Sequence, residues 1–406
     1  MEVEVWLAGN SVGRAIAPAG ASRGTFEATD LRDGGAALGG MGVASAVSHV
    51  NGEIARLLTG RNGERQAEID DALIALDGTE NKSRLGGNAM IAASMAVLHA
   101  AAGAHRMPLW QYLAQGSEVM LPLPEIQIFG GGAHAGRRID VQDFMVIALG
   151  ATSFAAALTM TAEVYRAAGK LMSEAGILQG VADEGGYWPA FSSNEEALTM
   201  LTRAIELAGY TPGREIGISL DVAASEFGRD GHYSLGLDRR RLDSDGLCQM
   251  LLEWLERYAI VSIEDPLAQD DAEGMRRFTA AAGGRIQIVG DDLLVTNAAR
   301  VKEAAKTKAC NAVLIKPNQA GTVTETRAAF DAARAAGFGT IVSARSGETE
   351  DTTVAHLATG WNAGQLKVGS FSRSERMAKW NEALRIEEAM GSKARFAGSK
   401  VLAGLR

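Results

Sequence analysis

Residues 312–316 read Ala-Val-Leu-Ile-Lys, a short apolar run with β-branched residues that ends in a lysine. Five further runs of this kind occur in the second half of the chain, and each is followed by an amphipathic stretch of helical length. Strands that alternate with helices indicate βαβ units and a parallel sheet. The six predicted strands are Ile216–Leu220, Ile260–Ile263, Ile286–Val289, Ala312–Ile315, Thr340–Ser343 and Gln365–Val368.

A charged residue lies at or just after the end of each predicted strand. In a closed parallel barrel such residues all point into one mouth, which is where barrel enzymes carry out their chemistry. The alternative is an open doubly wound sheet, but no G-x-G-x-x-G motif follows a strand before a helix, and an open sheet would not bring six strand ends together. We therefore predict an α/β barrel. The charged residues are, in order, Asp221, Glu264, Asp291, Lys316, Arg345 and Lys367.

The first part of the chain has a different pattern. Residues 2–7 and 11–17 alternate like a strand pair around Gly9-Asn10, and helical patterns follow at about 39–58, 65–77 and 84–114. Pro122 and Pro124 then exclude a helix and mark a boundary. We predict an α+β domain over residues 1–120 and a barrel domain over residues 121–406.

Composition narrows the class of protein. The 406 residues carry a net charge of −9, so the chain lacks the overall basic character of a nucleic-acid-binding protein. Residues 89–102 are too short an apolar stretch for a membrane span, and Met1–Gly9 does not have the pattern of a signal peptide. The two cysteines, Cys248 and Cys310, form no disulfide framework or metal motif. We expect a cytoplasmic enzyme that binds neither nucleic acid nor membrane.

Three of the strand-end residues are carboxylates, which are the ligands that Mg²⁺ prefers. Taken singly, Asp221, Glu264 or Asp291 could equally be a solvated strand end or half of an ion pair. Lys316 and Lys367 follow on later strands. A lysine beside another cation and a metal can have a lowered pKa and act as a general base, and the simpler alternative is that each lysine pairs with a carboxylate.

Other polar groups fit an anionic substrate. Arg345 and Ser346 place a forked cation beside a hydroxyl, which suits a phosphate. Asp183 and Glu184 precede two glycines, and Asp143 lies in a Gln-Asp-Phe-Met stretch, so paired carboxylates could supply an acid. Together these groups predict proton abstraction next to the carboxylate of a phosphorylated hydroxy acid.

At this point the chain resembles the enolase family over nearly its whole length. The fold that the resemblance implies is an N-terminal α+β capping domain on an eight-stranded barrel whose first strands depart from βα alternation, usually as a homodimer. The matching stretches are Pro18–Gly24, Asp77–Met90, Gly131–Met145, Val181–Gly186, Leu220–Phe227, Ser262–Asp265, Gly290–Thr296, Ile315–Gln319, Ser346–Asp351 and Ser372–Lys379.

The resemblance also implies roles for individual residues. One Mg²⁺ would bind the three carboxylates, and a second would arrive with substrate and be held by Ser22 on a mobile loop. The substrate would be a small phosphorylated or phosphonylated three-carbon acid. The other implied roles are Lys316 as base, Lys367 at the substrate carboxylate, Glu184 at the departing hydroxyl, Arg345 and Ser346 at the phosphate, and His134, Gln142 and Asp143 around the active site. From its sequence context alone, His134 would be a surface-loop histidine.

The chain departs from the family pattern at several site positions. Ala344 replaces a histidine of the family's Ser-His-Arg-Ser-Gly-Glu stretch, and Asp143 replaces a glutamate, which retracts the carboxylate by about 1.5 Å. In the loop at residues 18–24 two hydroxyl residues are lost and Arg23 is gained. The family's usual opening, which ends in an Asp-Ser-Arg-Gly-Asn-Pro stretch, is not found before Glu2.

These departures favour a specialised paralogue as the leading hypothesis. Such an enzyme would form an enolpyruvyl phospho(no) product, such as the carboxyphosphonoenolpyruvate of phosphonate and phosphinate antibiotic pathways, and Arg23 would meet an additional anionic group. The first alternative is an ordinary phosphopyruvate hydratase, which converts 2-phosphoglycerate to phosphoenolpyruvate. The second is a non-catalytic binding protein, which would have no need for three carboxylates and two lysines.

Overall fold

The structure, a computed structural model, describes residues 1–21 and 23–404. Its N-terminal part is a two-stranded antiparallel sheet packed on helices, in which Glu2 pairs with Ile16 and Trp6 with Val12. A π-helical turn joins the first two helices. The elements are strands β1 (Glu2–Trp6) and β2 (Val12–Ile16) and helices α1 (Ala44–His49), α2 (Ala55–Leu58), α3 (Gln66–Asp77), α4 (Gly87–Ala104) and α5 (Leu109–Ala114).

Two of the predicted helices differ from the observed ones. The helix expected at 39–58 begins only at Ala44, because Leu38, Gly39 and Gly40 have positive φ angles that an α-helix cannot contain. The helix expected at 84–114 is two helices, since Pro108 has an extended backbone and caps α5. Helix α4 is long and apolar enough by composition to cross a membrane, but 83% of it is buried inside the protein.

An eight-stranded barrel forms the second part and confirms the predicted fold. Its strand order is β3-β4-β7-β11-β12-β13-β14-β15, and β15 pairs with β3 to close it. The strands are β3 (Leu123–Gly130), β4 (Asp143–Ile147), β5 (Leu178–Val181), β6 (Tyr187–Pro189), β7 (Gly217–Asp221), β8 (Gly228–Arg229), β9 (His232–Leu235), β10 (Arg240–Asp243), β11 (Ile260–Glu264), β12 (Gln287–Gly290), β13 (Ala312–Ile315), β14 (Gly339–Ser343) and β15 (Gly364–Gly369).

Strand β4 is antiparallel to both of its neighbours, β3 and β7, while the remaining pairs of the eight-stranded barrel are parallel. The departure from regular alternation therefore lies where the resemblance placed it. The helices around the barrel are α6 (Phe154–Glu174), α7 (Asn194–Leu207), α8 (Ser244–Arg257), α9 (Ala272–Ala282), α10 (Ala298–Thr307), α11 (Pro317–Ala320), α12 (Val323–Ala335), α13 (Thr353–Gly360) and α14 (Ser374–Met390).

The barrel interior contains polar side chains that bond to one another. Gln287 donates to Ser262 Oγ at 3.1 Å and to Gln365 Oε1 at 3.0 Å. Glu125 accepts a hydrogen bond from Ser219 at 3.1 Å, and burial raises the pKa of Glu125 to about 7. Because these buried groups have partners inside the barrel, it is a packed core rather than a pore.

Candidate active site

Strand pairing brings the three predicted carboxylates to one mouth of the barrel. Asp221 is the last residue of β7, Glu264 is the last of β11, and these two residues are paired in register. Asp291 follows β12, which is the next strand around the barrel. All three side chains are buried. Adjacent parallel strands therefore place the three carboxylates side by side, as the spacing of the runs predicts.

Lys367 lies between two of these carboxylates. Its Nζ atom donates to Asp221 Oδ2 and to Glu264 Oε2, each at 2.8 Å, and lies 3.7 Å from Asp143 Oδ2. Burial opposes its charge, but Asp221 and Glu264 raise the pKa of Lys367 well above its ordinary value. Lys367 is inside β15 rather than at its end, and it reaches the mouth from across the barrel.

Lys316 follows β13 and pairs with the third carboxylate. Its Nζ atom donates to Asp291 Oδ2 at 2.5 Å, and Gln319 donates to Asp291 Oδ1 at 2.9 Å. We expected a lowered pKa for a base at this position. Burial does lower the pKa of Lys316, but Asp291 outweighs it, so that the pKa is raised. In the absence of a metal ion the simpler interpretation, a lysine paired with a carboxylate, describes this contact.

Two further acidic residues adjoin Asp291 and were not predicted. Oxygen atoms of Asp265, Asp291 and Asp292 lie within 4.8 Å of one another. Asp265 accepts hydrogen bonds from the backbone N–H groups of Asp291 at 2.9 Å and Asp292 at 2.8 Å. Burial and the charge of Asp291 raise the pKa of Asp292 to about 7. The Glu-Asp and Asp-Asp pairs after β11 and β12 were the sequence signal for these residues.

The donor set fits a hard divalent cation. Asp221, Glu264 and Asp291 supply buried oxygen ligands, and Glu264 Oε1 has no hydrogen-bond partner within the described ranges. Burial and the neighbouring charge of Asp221 raise the pKa of Glu264 well above its ordinary value, as expected of crowded carboxylates without a cation. A bound Mg²⁺ would satisfy the free oxygen and remove this repulsion.

A second polar cluster adjoins the carboxylates, because Asp143 is paired in register with Asp221. His134 Nδ1 lies 3.6 Å from Asp143 Oδ1 and 3.9 Å from Glu184 Oε1, and all three side chains are buried. The short helical turn Gly132–Ala135 turns His134 inward, so its interpretation as a surface-loop histidine is wrong. Burial lowers the pKa of His134, but Glu184 and Asp143 raise it to about 9.

Asp143 is held by a neighbouring amide. Gln127 donates to Asp143 Oδ1 and accepts from the backbone N–H of Gly186 at 2.8 Å. Gln142, the preceding residue, donates to Asp221 Oδ2 at 3.1 Å. Asp183 is exposed and does not enter the cluster, so the carboxylate paired with Glu184 is Asp143. Gln127 thus fills the space beside the shortened acid.

Arg345 and Ser346 follow β14, which pairs on one side with β13, the strand before Lys316, and on the other with β15, the strand that contains Lys367. Arg345 is buried and donates from Nη1 to Glu27 Oε2 at 2.9 Å. Ser346 Oγ accepts from the backbone N–H of Ala21 at 2.7 Å, and Ala344 donates its backbone N–H to the Lys367 carbonyl at 2.9 Å. Glu27, from the N-terminal domain, was not predicted as a site residue.

One small cavity of about 10 Å³ joins these groups. The loop that begins at Pro18 packs beside this wall of the barrel mouth, where Ala19 forms a β-bridge with Gly347. Arg23 in this loop is exposed, and Ser22 lies outside the described residues. The predicted site residues that line the cavity are His134, Gln142, Asp143, Glu184, Asp221, Lys316, Ala344, Arg345, Ser346 and Lys367.

Two cations on α14 support residues 343–348, which form the phosphate-binding wall of the cavity. Arg376 is fully buried and donates to the carbonyls of Arg345 at 2.6 Å and Val368 at 2.8 Å, and also to that of Ser346. Lys379 Nζ lies 2.9 Å from Glu348 Oε2. Both residues lie in the matching stretch Ser372–Lys379, but no role was predicted for them. Nothing in a single sequence shows which carbonyl groups a distant helix will contact.

The closed barrel and a mouth of carboxylates, lysines and an arginine define an enzyme with the catalytic arrangement of the enolase superfamily. Residues 1–113 match the family model "Enolase, N-terminal domain", and residues 118–404 match "Enolase, C-terminal TIM barrel domain". A relative named Enolase 1, from Desulfitobacterium hafniense (strain Y51), is 49% identical over 406 residues, which cover 99% of this chain and 93% of that protein. The chain belongs to the enolase family and is a Mg²⁺-dependent lyase.

The comparisons overturn the leading hypothesis from the sequence. A specialised paralogue that forms a phosphonate or phosphinate antibiotic precursor is not supported, because the full-length relative is named as an enolase. The role suggested for Arg23, contact with an additional anionic group, depended on that hypothesis and is withdrawn with it. The error lay in giving more weight to the changes at Ala344 and Asp143 than to the many matching stretches.

Proposed function

We propose that the protein is an ordinary phosphopyruvate hydratase, which removes water from 2-phosphoglycerate to form phosphoenolpyruvate. The observation that carries this proposal is that Lys316, which follows β13, and Glu184, in the turn between β5 and β6, line the same cavity as a base and an acid. The relative named Enolase 1 supports the same reaction. The substrate would be a small phosphorylated three-carbon acid.

Lys316 is the base in this proposal. It takes the proton from C2 of the substrate, and the electron pair of that C–H bond becomes the C2–C3 double bond. Asp221, Glu264 and Asp291 would hold Mg²⁺, which would supply positive charge at the substrate carboxylate. With Asp291 engaged in this way, Lys316 would lose the partner that raises its pKa, and the charge of Lys367 lowers that pKa further.

Glu184 is the acid. Burial and the charge of Asp143 raise the pKa of Glu184, so that it can hold a proton. It gives this proton to the hydroxyl group on C3 as the C3–O bond breaks, and water leaves. His134 carries positive charge beside Asp143 and Glu184, since its pKa is about 9. In this chain Asp143 and His134 flank Glu184, and the methyl group of Ala344 lines the same cavity.

Arg345 and Ser346 hold the phosphate. A guanidinium offers donors in a fork that matches two phosphate oxygens, and the buried position of Arg345 strengthens each bond. Lys367 binds the substrate carboxylate together with the metal. Gln142 keeps Asp221 in place through its 3.1 Å hydrogen bond. We include Ser22 as a ligand of a second Mg²⁺, on the basis of the family resemblance alone.

The test is formation of phosphoenolpyruvate from 2-phosphoglycerate with Mg²⁺. The wild type should turn over at a rate ordinary for enzymes, above about 1 s⁻¹, while Lys316→Ala and Glu184→Gln should be inactive but folded. A folded wild type that binds 2-phosphoglycerate and Mg²⁺ without turnover would contradict the proposal. Exposed Glu174→Gln on α6 is a suitable control, because it alters a solvent-exposed carboxylate that pairs only with Lys170 in the described residues.

We also propose a cytoplasmic homodimer with a domain border near residue 120. Both cysteines are free and buried, which is compatible with a reducing compartment. The separate matches at 1–113 and 118–404 support the border. The dimer is carried by the family resemblance, and light scattering coupled to gel filtration would test it, since a monomer mass would refute it.

A further inference from the structure

An arginine of the barrel stacks on an aromatic ring of the N-terminal domain beside the active site. The Cζ atom of Arg300, on α10, lies 3.7 Å from the centroid of the Phe26 ring. The Phe26 side chain is 56% exposed, so the ring is not part of the hydrophobic core. An exposed ring needs a specific contact to be fixed in place, and the guanidinium supplies one.

Arg300 is itself held in place. Its Nη1 atom donates to the carbonyl of Leu293 at 3.1 Å, and Asn297 caps the helix that carries it. Burial lowers the pKa of Arg300. Within residues 23–404 no carboxylate pairs with it, so Phe26 is its principal side-chain contact in that range. The barrel therefore presents a rigid, planar cation to Phe26.

The residue after Phe26 reaches the active site. Glu27 is buried, and its carboxylate accepts from Arg345 Nη1 at 2.9 Å and Nη2 at 3.3 Å, and from Gln319 at 3.3 Å. Gln319 in turn donates to Asp291. A two-pronged carboxylate contact fixes the plane of a guanidinium. The orientation of Arg345 thus depends on where residue 27 is held.

We propose that Arg300 is a positioning residue for substrate binding. By stacking on Phe26 it holds the adjoining Glu27 on Arg345, and so fixes the guanidinium that binds the substrate phosphate. This inference rests on the proposed function, which assigns the phosphate to Arg345. Loss of the stack would leave the segment tied to the barrel by the backbone N–H groups of Thr25, to Gln269 at 3.1 Å, and Ala28, to Gln319 at 2.8 Å, and would loosen the hold of Glu27 on Arg345.

Limited proteolysis in the absence of substrate tests whether the stack holds residues 24–27 against the barrel. Arg23 is exposed and lies three residues before Phe26, so trypsin cleavage after Arg23 reports release of the segment. Phe26→Ala and Arg300→Ala should each raise the initial rate of this cleavage about two- to five-fold, the range that an arginine–aromatic contact supports. Arg23→Thr identifies the fragment. Arg327→Ala removes another arginine–aromatic contact, with Phe330 and Trp361, and should change nothing.

Steady-state kinetics with 2-phosphoglycerate tests the link to the substrate. Phe26→Ala and Arg300→Ala should raise KM several-fold and lower kcat less, and the double variant should be no worse than either single one because all three remove one contact. Phe26→Trp keeps an aromatic ring for the stack and should therefore retain the wild-type KM and kcat. Melting curves would verify that the variants fold, and Arg300→Lys, which keeps the charge but loses the planar stack, provides a milder change.

The outcomes are distinct. Unchanged cleavage after Arg23 in both alanine variants would overturn the proposal, and so would faster cleavage with an unchanged KM, because Glu27 would then not position Arg345. A wild type that does not turn over 2-phosphoglycerate would defeat the proposed function instead. In that case KM for this substrate could not be measured, and wild-type-like cleavage of the variants would still refute the role of Arg300.

Discussion

The Nζ atom of Lys316 lies 2.5 Å from Oδ2 of Asp291, and both side chains are buried. A proposed base is thus paired with a proposed metal ligand when no metal ion is bound. The pair keeps Lys316 protonated, because Asp291 raises the pKa of the lysine against the effect of burial. Metal binding and activation of the base are therefore coupled through one carboxylate.

Replacing Lys316 should separate these two functions. In Lys316→Met we expect kcat for 2-phosphoglycerate to fall by about 100-fold or more, the usual contribution of a general base. Mg²⁺ affinity should be unchanged or higher, because Asp291 no longer has a competing cation. Calorimetric titration with Mg²⁺ checks the second expectation. The exposed Lys302→Met on α10 is the matched control, and weaker Mg²⁺ binding by Lys316→Met would contradict the coupling.

Removal of the crowded Glu264 carboxylate should weaken Mg²⁺ binding without lowering the stability of the fold. In Glu264→Gln we expect Mg²⁺ affinity to fall at least about 10-fold, as metal sites respond even to changes behind the ligands. With EDTA the variant should melt no lower than the wild type, because burial and Asp221 already disfavour the charged form of Glu264 by raising its pKa. Glu256→Gln, at an exposed ion pair, is the control. A lower melting temperature with unchanged Mg²⁺ affinity would refute the assignment.

The histidine in the second cluster should make stability depend on pH. Glu184 and Asp143 outweigh burial and raise the pKa of His134 from 6.5 to about 9, which corresponds to roughly 3 kcal/mol. This stabilisation is complete below pH 6.5 and is lost as the pH rises through about 9. The unfolding free energy of wild type minus that of His134→Gln should therefore shrink between pH 6 and pH 10.

Urea unfolding in EDTA at these two pH values measures the difference. Subtracting the unfolding free energy of the variant from that of the wild type removes the contribution of groups that titrate equally in both proteins. His105→Gln, at a half-exposed position, controls for the loss of a histidine as such. A difference that stays constant or grows with pH would show that His134 is not stabilised in its charged form.

A glycine next to Glu184 should be sensitive to a single methyl group. Gly369 has φ of +120°, and a Cβ atom there would lie 2.6 Å from the carbonyl oxygen of Glu184. Gly369→Ala should displace Glu184 and lower kcat about 100-fold, the effect of a shift near 1 Å in a catalytic group. Gly337→Ala has the backbone strain without the clash, so it should lose stability but keep kcat. Normal turnover by folded Gly369→Ala would contradict the role of Glu184.

Much of the barrel was predictable because each strand is a short buried run bounded by turns. The six runs match β7 and β11–β15 to within one residue at every end, and Asp221 and Glu264 lie at the strand ends. Strands β3 and β4 were not predicted, because Pro122 and Pro124 indicated only a boundary. Strand β4 is a five-residue segment without alternation, fully buried on both faces, and periodicity cannot identify such a segment.

The site was predictable where residues follow strands and unpredictable where partners are distant in the chain. The Arg345–Glu27 contact joins residues 318 positions apart, and no local pattern indicates it. The burial of His134 depends on a short turn, and the bond from Gln127 to Asp143 depends on pairing of β3 with β4. The specific reaction was misjudged because two substitutions were considered without the neighbours that accommodate them.

The three carbonyl groups held by Arg376 have a consequence for truncated forms of the chain. The phosphate-binding wall is built from residues 343–348, but it is completed by a side chain only 30 residues before the C-terminus and by Glu27 near the N-terminus. A chain truncated before α14 would keep every proposed proton-transfer residue and yet have an unfinished wall. We therefore expect such a truncated chain to bind phosphate poorly even where the barrel strands are complete.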